Sequence, residues 1–312
     1  MLDIYYQNVQ GLRTKTNSTL RNVLTSNYKI IAFTETWLNV NINNNEIIDD
    51  RYIVYRRDRT NSTSSKKDGG GIMLAVSRDI PSVREVTWES DSENLWVTLQ
   101  ININNVMKHI SICVVYLPPP VKLDTLSNIL DNIESKIDLC DDLVILGNSN
   151  LGFIEWSTNN NCSQMFPSSY DNLLGYKLID FMSTIALYQL NSICNSNNRF
   201  LDLILCSSVN ASVKRPLNDL THCNHHHPSL LLTLHFTGII SYLRPKISVG
   251  YNYFKADYAS IVDKLASYNW LSELSCSKDI NINVNRFYNI LNCRFGASWL
   301  FCPLVDADSS LC

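Results

Sequence analysis

What most constrains this chain is a succession of short, strongly apolar runs, each of strand length and closed by a polar residue or a breaker. Ile30-Ile31-Ala32-Phe33, Gly71-Ile72-Met73-Leu74-Ala75-Val76, Leu95-Trp96-Val97-Thr98-Leu99 and Ile110-Ser111-Ile112-Cys113-Val114-Val115-Tyr116 belong to the series. Leu143-Val144-Ile145-Leu146, Phe200 to Cys206 and Ser229 to Phe236 continue it. Their length and their β-branched and aromatic content favour strands over helices. Pro118-Pro119-Pro120 must end its strand, because proline has no N–H to give to a ladder. Gly147 is expected to stop another.

Between the strands, Leu123, Leu126, Leu130, Ile133 and Ile137 recur at helical spacing, with Asp124, Asp131 and Glu134 on the other face. That pattern predicts an amphipathic helix lying on a sheet. A second helix is predicted from Leu173 to Ala186. The chain has 312 residues, 45% of them hydrophobic, enough to bury a large core. Strands with interspersed helices predict an α/β (α+β) fold, a two-sheet β-sandwich flanked by helices. After about Phe236 the texture changes. Asp257 to Leu274 and Arg286 to Phe295 read as helical, which divides the chain into a domain over 1–236 and a partly helical linker over 237–312.

Only 18% of residues are charged, below the usual figure of about a quarter. The net charge is −3, so the global basic footprint of a nucleic-acid binder is absent. Phosphate contacts would have to come from local clusters, Arg56-Arg57 with Arg59 or Lys66-Lys67, each of which also reads as a solvated loop. The ten cysteines form no C-x-x-C pair. No signal peptide and no apolar stretch of membrane length is visible. The expectation is an intracellular protein with reduced thiols.

Polar residues at strand ends carry the candidate chemistry. Asn8 follows Ile4-Tyr5-Tyr6, Glu35 follows Ile30 to Phe33, and Tyr116 precedes the prolines. Asn148 and Asn150 follow Leu143 to Leu146, Asp202 sits within Leu201 to Leu205, and His225-His226-His227 precede the last strand. Singly, each is ordinary: a solvated glutamate or a satisfied core carboxylate. His222, Cys223 and the histidine run suggest zinc by residue type. Their spacing fits no standard finger, and adjacent strand residues point to opposite faces.

Taken in order, these residues resemble the endonuclease/exonuclease/phosphatase superfamily, and in particular the endonuclease domain of jockey-like non-LTR retrotransposons. The likeness is carried by Tyr6-Gln7-Asn8-Val9-Gln10-Gly11-Leu12-Arg13-Thr14-Lys15, Thr34-Glu35-Thr36-Trp37-Leu38, Arg56-Arg57-Asp58-Arg59 and Gly69-Gly70-Gly71. Val115-Tyr116-Leu117-Pro118-Pro119, Trp156 and Leu201-Asp202-Leu203 add to it. The resemblance implies a four-layer, DNase I-like sandwich and a metal-dependent phosphodiester hydrolase that nicks target DNA, nuclear if active. It implies Glu35 as the ligand of Mg²⁺ (or Mn²⁺), with Asn8 beside it. Tyr116 would touch the scissile phosphate and Asn150 would donate to one of its oxygens. Either His226 or His227 would contact the phosphate or help activate water, oriented by Asp202. Arg56 and Arg57 would bind substrate. The tail resembles the segment that leads to a reverse transcriptase on the same chain, so the reading frame looks truncated.

Two positions depart from the family pattern. Gly147-Asn148-Ser149-Asn150 stands where the family has Gly-Asp-Phe-Asn, and Ser149 replaces a large apolar residue. No carboxylate lies between Asp219 and His227, where the family places an aspartate before its histidine. An amide at Asn148 cannot take a proton from water. The expectation is therefore little or no nicking. The alternatives are a catalytically inactive DNA-binding module or a non-functional retrotransposon fragment.

Overall fold

The computed structural model describes residues 1–60, 69–158, 164–208, 210–238, 240–242, 257–274 and 279–295. The chain divides into two compact units, Met1–Leu243 and Arg244–Cys312. In the first unit the strands begin with β1 (Leu2–Asn8), β2 (Ile30–Thr34), β3 (Tyr52–Arg57), β4 (Ile72–Ser77) and β5 (Ser82–Arg84). They continue with β6 (Asn94–Ile103), β7 (Val106–Tyr116), β8 (Asp142–Asn148), β9 (Glu155–Thr158) and β10 (Met165–Ser169). The last are β11 (Tyr188–Gln189), β12 (Asp202–Cys206), β13 (Ala211–Lys214), β14 (Leu230–Leu234) and β15 (Ile240–Ser241). The helices are α1 (Thr16–Thr25), α2 (Leu123–Glu134) and α3 (Leu173–Thr184).

One sheet has the order β13-β14-β1-β2-β4-β3, and the other β15-β6-β7-β8-β12-β11-β10-β9, with β5 on β6. Alternation along each strand sorts side chains between layers. Leu2, Ile4 and Tyr6 of β1 face between the sheets, with Leu95 and Val97 of β6, Ile112 and Val114 of β7, and Val144 and Leu146 of β8. Tyr5, Ile31 and Phe33 face outward and pack with Val23 of α1. Cys113, Val115, Leu143 and Ile145 cover the other outer face beneath Leu126, Ile129, Leu130 and Ile133 of α2 and Leu178 and Phe181 of α3. The result is the expected four-layer sandwich. Each fully buried Leu, Ile or Phe contributes about 1.5–3 kcal/mol, so register is strongly held: a one-residue slip would turn every inward side chain outward.

The sequence expectation for β8 needs correction. The strand does not stop at Gly147 but runs through it to Asn148. A Cβ on Gly147 would lie 1.8 Å from the Val115 carbonyl oxygen. This glycine therefore permits close approach of β7 rather than termination. The helix α1 and the strand β3, which sequence periodicity did not single out, complete the first sheet and its cover.

In the second unit lie α4 (Tyr258–Ala266), α5 (Trp270–Leu274) and α6 (Ile280–Phe295). The Trp270 ring packs 5.2 Å from that of Phe287, which ties α5 to α6. No described helix is long and apolar enough to cross a membrane.

Candidate functional site

Strand topology gathers the polar ends at one edge of the sandwich. β1 and β2 run parallel with Asn8 opposite Thr34, so Asn8 and Glu35 leave the first sheet side by side. In the second sheet Tyr116 of β7 lies opposite Asn148 of β8, and Asp202 of β12 lies opposite Asn148 from the other side. Tyr116, Asn148 and Asp202 thus form a row across three adjacent strands.

Two hydrogen bonds cross from sheet to sheet and close this edge. Tyr6 donates its hydroxyl to Asp202 Oδ1 at 2.7 Å, and Asn148 donates Nδ2 to Glu35 Oε1 at 3.3 Å. Asn8 Nδ2 donates to the same Glu35 oxygen at 2.8 Å. Asn8, Asn148 and Asp202 are buried, while Glu35 is half-buried. The amides are fixed at both ends. Asn8 Oδ1 accepts from the Gln10 N–H at 3.2 Å, and Asn148 Oδ1 accepts from the Asn150 N–H at 3.0 Å. With the oxygens committed to backbone N–H groups, the nitrogens must face the carboxylate.

His227 is the histidine on Asp202, its Nδ1 2.8 Å from Oδ2. Asp202 therefore has one oxygen on Tyr6 and the other on His227. Burial works against a charge on His227. The charge and hydrogen bond of Asp202, with Glu35 adding to them, outweigh it, and the pKa is raised above the ordinary imidazole value. The other candidate, His226, is exposed, and its backbone N–H donates to Asn224 Oδ1 at 2.9 Å. Because Nδ1 of His227 is used, Nε2 is the nitrogen that could meet a substrate.

Burial first, then the Glu35 charge, push the Tyr116 hydroxyl well above the ordinary phenol range, with Arg59 working against them. Tyr116 is thus a neutral O–H donor. Arg59 lies over its ring, 5.6 Å from the centroid, and is itself paired with buried Glu93. Asn150 adopts a left-handed φ of 51° and donates Nδ2 to the Leu117 carbonyl at 2.7 Å.

Arg56 and Arg57 are not brought into this row. Arg56 donates to the carbonyls of Asn39 and Ile42, each at 2.7 Å, and pairs with Asp58. Arg57 donates to the carbonyls of Asn94 at 2.7 Å and Ser90 at 2.6 Å. Arg56 braces the loop after β2 from within, and Arg57 ties the loop at Ser90 to the start of β6. Lys66 and Lys67 lie outside the described residues. Sequence reasoning missed Tyr6, Arg59 as a partner of Tyr116, and Glu93. For Tyr6 a signal existed: it shares the inward parity of Ile4, two residues before the strand end. Nothing local marks Glu93.

Among the described residues no three of His, Cys, Asp and Glu gather as a metal cluster. Asp202 is committed to Tyr6 and His227, and Glu93 to Arg59 and the Gly71 N–H at 2.8 Å. Glu35, reached by neutral amides and half-buried, is the acid here suited to a hard cation. One carboxylate suits a largely hydrated Mg²⁺ rather than an all-protein cage.

No family model and no curated protein matches the sequence. Solved structures match its fold. The endonuclease domain of TRAS1, a telomere-specific non-LTR retrotransposon, is similar over 76% of this chain and 99% of its own, with 13% identity and a TM-score of 0.50. The catalytic domain of Xenopus laevis APE2 is similar over 78% of this chain and 94% of its own, with 11% identity and a TM-score of 0.55. The AP endonuclease LMAP from Leishmania major covers 75% of this chain and 88% of its own, with 11% identity and a TM-score of 0.54. Likeness at such identities is likeness of fold. With its two mixed sheets, its flanking helices and these neighbours, the chain carries the DNase I-like fold of the endonuclease/exonuclease/phosphatase superfamily.

Proposed function

We propose that this chain is a metal-dependent phosphodiester hydrolase directed at DNA, descended from a non-LTR retrotransposon endonuclease and impaired in its hydrolytic step. The likeness to the TRAS1 domain supports the descent, with the reverse transcriptase as the ancestral neighbour on the same chain. If active on DNA, it would work in the nucleus. When bound, Mg²⁺ or Mn²⁺ would neutralise phosphate charge and acidify a bound water. Glu35 would hold it, with Asn8 steadying the carboxylate.

The remaining groups suit a phosphate. Tyr116 offers a neutral O–H. His227, held by Asp202 and with its pKa raised above the ordinary imidazole value, would donate from Nε2 to a phosphate oxygen when charged. Asn150 would add an amide donor. What the edge lacks is a carboxylate at position 148. The observation that carries the impairment is Asn148, buried, with its Nδ2 turned on Glu35 at 3.3 Å. An amide so placed carries no charge and accepts no proton. Loss of a general base costs about 10² to 10⁴ in rate.

A second reading, an inactive DNA-binding module, is favoured by the two amide donors on one Glu35 oxygen, which engage that oxygen without a cation. Plasmid nicking with Mg²⁺ or Mn²⁺ separates the readings, using the unaltered chain, Asn148→Asp and Glu35→Ala. Nicking by Asn148→Asp alone is the expected result. Nicking by the unaltered chain that Glu35→Ala abolishes would overturn the impairment. Nicking by none, with all three folded, would favour the binding module.

A further inference from the structure

We propose that Trp37 is a stacking platform for an unstacked nucleobase of bound DNA, an inference that rests on DNA as the ligand of the Glu35 edge. Trp37 lies two residues beyond Glu35 and has a left-handed φ of 54°. For a bulky residue that conformation is a genuine outlier, and such strain concentrates at ligand clamps. The segment is locked in place. The Trp37 N–H donates to the Gly70 carbonyl at 2.9 Å, and the Gly11 N–H donates to the Glu35 carbonyl at 2.7 Å. The Trp37 carbonyl accepts from the exposed Arg13 side chain. The ring rests on a glycine: a Cβ on Gly11 would come within 2.6 Å of Trp37 Cε3.

This scaffold does not bury the ring. Trp37 is 38% exposed, while its neighbours Thr36 and Leu38 are 0% and 3% exposed. A tryptophan recruited for the core would be covered. Here strain and two glycine turns instead hold a rigid indole half in solvent beside the half-buried Glu35. A flat face of this kind stacks any base, with little dependence on sequence. The charge balance points the same way. With a net charge of −3 and with Arg56 and Arg57 spent internally, phosphate attraction is weak, and a contact independent of charge gains weight.

The test is fluorescence anisotropy with a labelled single-stranded oligonucleotide and one of equal length made of abasic residues, with Ca²⁺ in place of Mg²⁺ so that cutting is suppressed while a divalent cation is present. The unaltered chain should bind the base-bearing strand about tenfold more tightly, as one aromatic–base stack predicts. Trp37→Ala should lose that preference, and Trp37→Phe should keep most of it with the same glycine seats. An undiminished preference in folded Trp37→Ala, or equal binding of both strands by the unaltered chain, overturns the platform alone. Failure of the unaltered chain to bind either strand overturns DNA as ligand and the platform with it.

Discussion

Replacing Asp202 by asparagine should invert the response of His227 to pH. The side chain keeps its size, so the oxygen facing Tyr6 can still accept the hydroxyl bond of 2.7 Å. The other end becomes an N–H₂ that faces His227 Nδ1, now 2.8 Å from a carboxylate oxygen. An amide hydrogen can donate only to a neutral imidazole, so the variant favours the uncharged ring. Hydrogen bonds to charged groups contribute about 1.5–3 kcal/mol, which corresponds to about one to two pH units. Burial opposes the charge, and only Asp202, with help from Glu35, overcomes it. Without Asp202, His227 should therefore fall below the unfolded value of about 6.5. Histidine Cε1–H shifts followed by NMR against pH, assigned with a His227→Gln variant, read this directly. Stability must follow with opposite signs. In the unaltered chain the folded pKa is raised, so the stabilisation is full below about 6.5 and is lost as pH rises through the folded value. In Asp202→Asn the folded pKa is depressed, so stability should rise as pH climbs through about 6.5. A His227 that still titrates above the ordinary value in Asp202→Asn would refute the assignment of its charge to this pair.

Other consequences are simpler. Gly147→Ala should cost more than about 4 kcal/mol in urea unfolding, because its Cβ would lie 1.8 Å from the Val115 oxygen; a loss below about 1 kcal/mol would show that β7 and β8 can part easily. Tyr6→Phe removes the donor to buried Asp202 and should cost about 1–3 kcal/mol, and an unchanged midpoint would mean that another donor takes its place. Arg56→Met leaves the Asn39 and Ile42 carbonyls without their donor and should lower the melting temperature while DNA affinity of the folded variant holds. Weakened DNA binding at unchanged stability would return Arg56 to the substrate.

The sandwich was legible because its strands are buried on both faces and so read as unbroken apolar runs; β2, β4 and β8 are of this kind. The site was legible for a related reason. A polar residue directly after such a run must leave the sheet at its edge, and parallel pairs such as β1 with β2 and β7 with β8 bring those edges together. What stayed illegible depends on contacts distant in sequence. Nothing near Glu93 shows that Arg59 will find it across 34 residues. The choice among three consecutive histidines turns on which faces inward as the chain enters β14, which periodicity cannot fix in a turn. Arg56 and Arg57 read as a basic cluster, yet the carbonyls that occupy them, of Asn39, Ile42, Ser90 and Asn94, lie 14 to 37 residues away in sequence. Gly147 read as a breaker because composition distinguishes neither a turn glycine from one that admits a neighbouring backbone.

If position 148 descends from an aspartate, as proposed, the asparagines around Glu35 show what that exchange would do to stability. An aspartate at 148 would hold a second carboxylate within hydrogen-bond range of the first. Two like charges at about 4 Å repel by about 4 kcal/mol near a protein surface, unless a cation or a shared proton intervenes. Asparagine removes the repulsion and supplies a donor in its place, while its own oxygen keeps the turn to Asn150 at 3.0 Å. Asn8 is held in the same way from the other sheet, its oxygen on Gln10 and its nitrogen on Glu35. Glu35 thereby gains two amide partners that need no metal. On the proposed descent, the loss of a carboxylate at 148 and the gain in metal-free stability would be one substitution, in keeping with the usual opposition between active-site chemistry and stability.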